Sequence, residues 1–539
     1  MSGKRVIWLI LLTLLSALLI LSRLGTYALW DDEAGTALHG EAVFKTGDTG
    51  AIIGDNLLAF RGGVALQGLK DRTVSPLQYY VTAPFVGMFS KSSFAARLPF
   101  ALCGVFLMGF LYWWILISVK KDWYAAVLVV GFLSNVSLIL YLRQCRYYSL
   151  AILFTGLIFY IYCKWGKNKE RPYLLSSLSA MLMASNYLVF VAVWFAIGVD
   201  YVVWRRRETM LSLRSLIIFS GTQILAAIIL LSIWNPLRSP WGSYIHERAL
   251  SWSEKLVLFT WNLRELSVIE VLPIVVLIAA LYVITRMRDV LITRGILGIL
   301  SFTFITTLFS PQTGIHSTGV ADIRYMAPVI PLGIFITCRT IFILFNKKII
   351  MMCLACSIAF FSNALCGVFI LQGELRSTFI QYVEELIQPP SDPYSPTADW
   401  IRAHVPKGAS IWVLPDYMTY PLMFHAPDSI YAWQLNPEQK KDPQFKDLPD
   451  IHFKGVVLPD YIIIFGPMIV QIREMLQQWK QQGADYQEIY RINTFWKDLY
   501  RPELFWRTFK PIAGFDPDTQ AIYIYKHVSP AGDLQKSHP

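Results

Sequence analysis

The chain alternates long apolar runs with short polar intervals, and most of those intervals carry lysine or arginine. A membrane span needs about 20 apolar residues, and Lys and Arg collect on the cytoplasmic side. These two rules predict a topology. Val6 to Ser22 follows Lys4 and Arg5 and reads as the first span, because Ser22-Arg23-Leu24-Gly25 lacks the small-residue pattern of a signal-peptide cleavage site. Residues 75–92 are amphipathic and interrupted by Pro84, which suits a segment lying along the outer interface.

Ala95 to Val119 is the second span and ends at Lys120-Lys121. Trp123 to Tyr141 then leads out and Tyr148 to Cys163 leads back to a lysine-rich interval. Residues 173–204 are too long for one span at about 1.5 Å per residue and divide at Ser185-Asn186-Tyr187. Leu216 to Ile233, Val268 to Thr285, Gly295 to Phe309, Met326 to Phe345 and Ile349 to Leu371 complete about eleven predicted spans. The N-terminus falls in the cytoplasm and the C-terminal region outside.

After about Glu374 the pattern changes. Residues 409–415, 461–466, 486–492 and 521–528 are β-branched and aromatic and predict strands, while 469–483 predicts a helix closed by Gly483. A further helix opens at Ser395-Pro396-Thr397 and runs through His404. The expected organisation is a transmembrane catalytic domain over 1–373, with a first outer loop at about 25–92, and an extracytoplasmic α/β domain over 374–539.

Composition agrees with a polytopic α-helical membrane protein: 55% of residues are hydrophobic, 16% are charged, and the mean hydropathy is +0.45. The net charge of +11 in a soluble domain would suggest a nucleic-acid partner, but here the basic residues sit between apolar runs and report topology. The seven cysteines (103, 145, 163, 338, 353, 356 and 366) lie in or beside apolar segments, so no disulfide framework is expected. Cys353 and Cys356 have a redox or metal spacing without further ligands nearby and read as small apolar filler.

Two features of the outer face call for chemistry. Asp31-Asp32-Glu33 follows the first span directly, and Arg143, Arg146, Arg238, Arg248, Arg264 and Arg324 fall at outer helix ends, against the positive-inside trend. Read locally, Asp31 caps a helix and the other acids favour its positive end. Read together, acids and arginines on one membrane face suit a substrate with a nucleophile to deprotonate and a phosphate to release.

Sugar transfer from a lipid-linked phosphate has that form. Arginines neutralise the leaving phosphate, and one carboxylate takes the proton of an acceptor attacking the opposite face of the anomeric carbon, inverting it.

At these residues the chain resembles the GT-C glycosyltransferases of the protein O-mannosyltransferase and lipid A aminoarabinose transferase type. Asp32-Glu33-Ala34-Gly35-Thr36-Ala37, closing at Gly47, is similar to their acidic first-loop helix. Ser75-Pro76-Leu77-Gln78-Tyr79-Tyr80 and Phe94-Ala95-Ala96-Arg97-Leu98-Pro99 resemble the elements that follow it. Arg143 to Tyr148 and Arg324-Tyr325-Met326-Ala327-Pro328 match two later segments. The resemblance covers about residues 1 to 371. It implies Asp32 as base with Glu33 in support, and Arg143, Arg146 and Arg324 facing the donor phosphate beside Tyr147 and Tyr325. One departure stands out: aminoarabinose transferases have Glu-Lys before Pro-Pro-Leu, where this chain has Thr73-Val74-Ser75 before Pro76-Leu77, with Lys70 and Arg72 nearby. The sugar is left open.

The expected function is transfer of a sugar from a polyprenyl-phosphate-linked donor to a protein, glycolipid or glycan acceptor at the outer face of a bacterial inner membrane. Further candidate substrate contacts are Arg72, Tyr80, Arg238, His246 and Arg248, the last three in or beside the aromatic-rich loop 234–264; His316 lies in another outer loop. No protein-bound metal or other cofactor is expected, although three adjacent acids could recruit a divalent ion. Two other classes fit less of the pattern. A flippase of lipid-linked sugars would want ionisable residues within the spans, and a sensor with an extracytoplasmic ligand-binding domain leaves the acid and arginine arrangement unexplained.

Overall fold

The computed structural model describes residues 2–89, 91–164, 171–207, 212–238, 247, 249–310, 323–366, 375–389, 391–493 and 521–528. Among them, five helices are long and apolar enough to cross a membrane: Gly3–Leu21, Ser93–Ser118, Leu213–Ile233, Val290–Leu308 and Ile323–Phe345. Asp122–Ser134 and Val136–Leu142 make a sixth if they form one span bent by 59°. Shorter apolar helices occupy Tyr148–Lys164, Tyr187–Val203, Ile274–Met287 and Ile349–Phe360. Each lies within or across a stretch predicted to span, but several are too short to cross alone.

Asparagines make the breaks. Asn135 accepts a hydrogen bond from the Leu138 amide at 2.8 Å and donates to the Glu270 carbonyl at 3.2 Å, ending one helix and starting the next. Asn186 likewise caps Tyr187–Val203 by accepting from Val189, at the division predicted between 173 and 204.

One expectation changes, and a second segment gains a packing partner. The segment 234–264 is not all loop: Trp252–Val268 is a helix, opened by a reciprocal capping box between Ser251 and Glu254. The stretch at 75–92 forms helix Leu77–Met88, which packs on helix Asp31–Thr46 so closely that a Cβ on Gly40 would lie 3.0 Å from Thr82. That contact covers one side of the helix, while Tyr80, Met88 and Phe89 stay exposed.

The first outer loop also forms a small hairpin, β1 (Ile52–Ile53) with β2 (Asn56–Leu57), turning through Gly54 at φ +61°. The C-terminal region holds a five-stranded sheet made of β3 (Ser410–Leu414), β4 (Ile430–Tyr431), β5 (Tyr461–Phe465), β6 (Asp485–Asn493) and β7 (Ala521–Val528). Its order is β4-β3-β5-β7-β6, with β3 parallel to β4 and β5, and β7 antiparallel to both β5 and β6. All four predicted strands are present.

Strand alternation explains how the sheet is covered. Trp412, Leu414, Ile462, Ile464, Tyr523 and Tyr525 point to one face and pack against Ile469, Ile472 and Leu476 of helix Ile469–Gln481. The opposite set, including Ile411, Val413, Ile463 and Ile524, joins Tyr394, Ile401 and Leu422 in a core continuous with that of the helical half. A third apolar cluster joins Leu57, Ala59 and Leu66 of the first loop to Leu435, Phe445 and Phe453. The sheet region is therefore packed onto the loop that follows the first apolar helix, where the acids lie.

Candidate active site

Helix Asp31–Thr46 begins with its three acids in the first turn, where the helix dipole favours negative charge. The cap position belongs to Trp30, not Asp31; Asp31 is the first helical residue, and its Oδ1 accepts the Asp32 amide at 2.8 Å.

Asp32 is the point where three chain segments converge. Arg324, in the 3-10 turn Ile323–Val329, closes on Asp32 Oδ2 through its Nη1. Arg146, in the connection between helices Val136–Leu142 and Tyr148–Lys164, places Nη2 3.4 Å from the same oxygen. Its Nη1 donates to Thr36 Oγ1 at 3.0 Å, and Thr36 donates to the Asp32 carbonyl at 2.9 Å. The Asp32 side chain is 22% exposed, so the cluster stays accessible. Burial works against the Arg146 charge, yet Asp32 beside it holds the guanidinium protonated well above the ordinary arginine range.

The neighbouring acid has different surroundings. Glu33 is fully buried and meets fully buried Arg97 in a bidentate pair, Nε to Oε1 at 2.9 Å and Nη2 to Oε2 at 2.5 Å. Oε1 also accepts the Cys145 amide at 2.7 Å. Arg97 uses its remaining donors on the carbonyls of Leu24, Tyr27 and Ala28. Glu33 thus stitches the acidic turn to helix Ser93–Ser118 and to the segment bearing Arg146.

The other sequence-derived residues sort by position. Tyr147 is buried, stacks on Tyr325 with ring centroids 6.5 Å apart, and donates its backbone amide to Gln78 Oε1 at 3.2 Å. The Arg146 guanidinium lies over the Tyr147 ring at 5.9 Å. Burial, followed by Tyr148 and Tyr325, raises the Tyr147 hydroxyl well above its usual range. Arg143 points elsewhere: Nη1 donates to Tyr382 Oη at 2.5 Å and Nη2 to the Ser22 carbonyl at 2.7 Å, tying the first span to helix Thr378–Ile387.

Arg72 also has a local acidic partner, in a two-pronged pair with Asp48 at 2.7 Å on both oxygens. Lys70 joins the same carboxylate at 2.7 Å, and Arg72, first among these causes, holds Asp48 well below the usual carboxylate range. Arg72 lies over the Trp234 ring at 5.4 Å, and Tyr80 meets that ring edge-on while donating to the Gly47 carbonyl at 3.1 Å. Arg238 is exposed and donates to the Ser232 carbonyl at 3.3 Å. His246, Arg248 and His316 lie outside the described residues.

Sequence reasoning missed a buried group close to this site. Tyr79 donates to Asp71 Oδ2 at 2.8 Å, His39 Nε2 lies 3.6 Å from the same atom, and Thr73 donates twice to Asp71 Oδ1. His39 stands two turns after Asp32 on its helix, and burial, ahead of the Asp71 charge, raises the Tyr79 hydroxyl well above its ordinary range. A histidine amid apolar helix residues gives no signal of its partners, of which Asp71 comes from 32 residues later in the chain.

No family model and no curated protein matches the chain. Solved structures do. ArnT from Cupriavidus metallidurans bound to undecaprenyl phosphate aligns over 88% of this chain and 95% of its own at 11% identity, with a TM-score of 0.56. The same protein in its apo state aligns over 88% and 96% at 10% identity, with a TM-score of 0.53. Likeness at this identity speaks for fold. With its apolar helices and C-terminal sheet region, the chain is an integral membrane protein of the GT-C fold.

Proposed function

We infer that the chain is an inverting glycosyltransferase that moves a sugar from a polyprenyl-phosphate-linked donor to a protein, glycolipid or glycan acceptor on the outer face of a bacterial inner membrane. The observation that carries this reading is the Asp32 carboxylate held between Arg146 and Arg324 at an accessible helix N-terminus. An ArnT structure of the same fold holds undecaprenyl phosphate, a ligand of the class required here.

Without donor, the two arginines neutralise Asp32. A donor phosphate competes for both guanidiniums, which then stabilise the charge of the leaving group while the carboxylate turns to the acceptor. The acceptor oxygen or nitrogen forms its bond to the anomeric carbon and the carbon–oxygen bond to phosphate breaks. The bonding pair stays on the phosphate, and the acceptor proton passes to Asp32. Glu33 supports this step by fixing the acidic turn through Arg97, while Tyr147 and Tyr325 wall the site. Lys70, Arg72 and Tyr80 reach a donor only if the Asp48 cluster opens.

The test is mass spectrometry of lipids that co-purify with wild-type and Asp32→Asn protein. Asparagine keeps the shape but accepts no proton, so the variant should retain a polyprenyl phosphate sugar that wild type has discharged. Equal lipid content together with equal transfer in extracts would show that Asp32 is not the base.

A further inference from the structure

The segment that delivers Asp32 is held from two sides. From the membrane half, Arg97 takes the carbonyls of Leu24, Tyr27 and Ala28. From the C-terminal region, two side chains take two successive amides: Asp392 Oδ2 accepts the Ala28 N–H at 3.3 Å, and His425 Nε2 accepts the Leu29 N–H at 3.1 Å. These amides lie three to four residues before Asp32. Both acceptors are themselves fixed. Asp392 accepts the amides of Tyr394 and Ser395 at 2.8 and 2.7 Å, and Arg402 donates to the His425 carbonyl at 2.6 Å. His425 ends helix Thr419–His425, which packs along helix Asp31–Thr46.

We propose that the C-terminal region is a working part of the Asp32 site, and that His425 is a positioning residue that sets the acidic turn by accepting the Leu29 amide. The inference rests on the transfer reading for its functional consequence, but the anchoring itself does not. A buried amide that loses its acceptor must find another or move, and Leu29 is fully buried. Movement there carries Asp32 away from Arg146 and Arg324. The sheet region thereby acquires a specific task, holding the reactive turn from outside while Arg97 holds it from within the membrane half.

Full-length His425→Gln and His425→Asn proteins separate this role from general folding. Glutamine can carry its carbonyl oxygen to near the Nε2 position; asparagine is one carbon shorter and cannot reach, though both are polar and of similar bulk. Hydrogen exchange over residues 28–36 should quicken about tenfold in H425N and stay near wild type in H425Q, with β3 and β5 unchanged in both. H425N should also retain lipid-linked sugar in source-cell membranes, as Asp32→Asn does, whereas H425Q should discharge it. Affinity for undecaprenyl phosphate should stay within about twofold of wild type in either variant, because the arginines remain. Equal exchange over 28–36 in H425Q and H425N overturns the inference. If Asp32→Asn transfers sugar normally, the transfer reading fails, and the exchange comparison still decides the anchor.

Discussion

Arg97 and Glu33 form a two-pronged ion pair with both side chains fully buried, one residue from the accessible Asp32. Adjacent acids in one helical turn are thereby divided between two tasks. Glu33 is enclosed and committed to structure, while Asp32 stays accessible beside two arginines that a phosphate could claim.

Breaking that pair should be costly. Arg97→Ala leaves a buried carboxylate without its partner and frees three carbonyls, so destabilisation of about 3–5 kcal/mol is expected. Thermal unfolding in detergent measures it. Glu33→Gln keeps one acceptor for Cys145 and should lose less. Equal midpoints for Arg97→Ala and wild type would mean that the pair contributes nothing to stability.

Much of this was legible from residue patterns. β-Branched and aromatic content placed four of the sheet's five strands, and the break at Asn186 followed from a stretch too long to be one helix. The separation of Glu33 from Asp32 was not legible, because adjacent carboxylates look alike until the packing of helix Ser93–Ser118 buries one of them. Arg143 and Arg146 likewise share a motif, yet they point to different partners because the connection after Leu142 turns between them. A lone arginine at the start of an apolar run, Arg97, was the available signal for the buried pair.

Arg324 and Arg143, both expected at the donor phosphate, should respond differently to alanine. Arg324→Ala removes a guanidinium from the accessible cluster and should weaken undecaprenyl phosphate binding by about 10- to 100-fold, the worth of one charge-assisted hydrogen bond, with little change in thermal midpoint. Arg143→Ala instead releases Tyr382 and the Ser22 carbonyl, so it should lower the midpoint and leave lipid affinity in the remaining folded protein nearly unchanged. Binding titrations beside melting curves separate them. The assignment of Arg143 to structure fails if its variant melts like wild type and loses the lipid.

Gly104 sets the distance between helix Ser93–Ser118 and the bent half-span that ends at Leu142. A Cβ there would lie 2.8 Å from Leu142 Cβ and 3.0 Å from its carbonyl oxygen, so neither neighbour can yield without backbone movement. Gly104→Ala should therefore cost about 1–3 kcal/mol by overpacking. It should also shift the connection bearing Arg146, with sugar transfer falling more steeply than the folded fraction. Activity that tracks the folded fraction would show that the displacement stops short of Arg146.

Acidification should loosen the His425 anchor. Burial, followed by the charges of Arg97 and Arg402, lowers His425 to about 4 in the folded protein, against an ordinary histidine value of about 6.5 when unfolded. Between those values the unfolded chain binds a proton that the native one does not. Stability from this group is therefore fully present above about pH 6.5, declines as pH falls toward 4 and is level below that. Protonation would also turn the acceptor of the Leu29 amide into a donor. His425→Gln does not titrate, so its thermal midpoint should fall less than that of wild type between pH 6.5 and 4, while the carboxylates, Asp48 among them, contribute alike to both. Parallel curves for the two proteins would place the native His425 titration at its ordinary value and remove the acid sensitivity of the anchor.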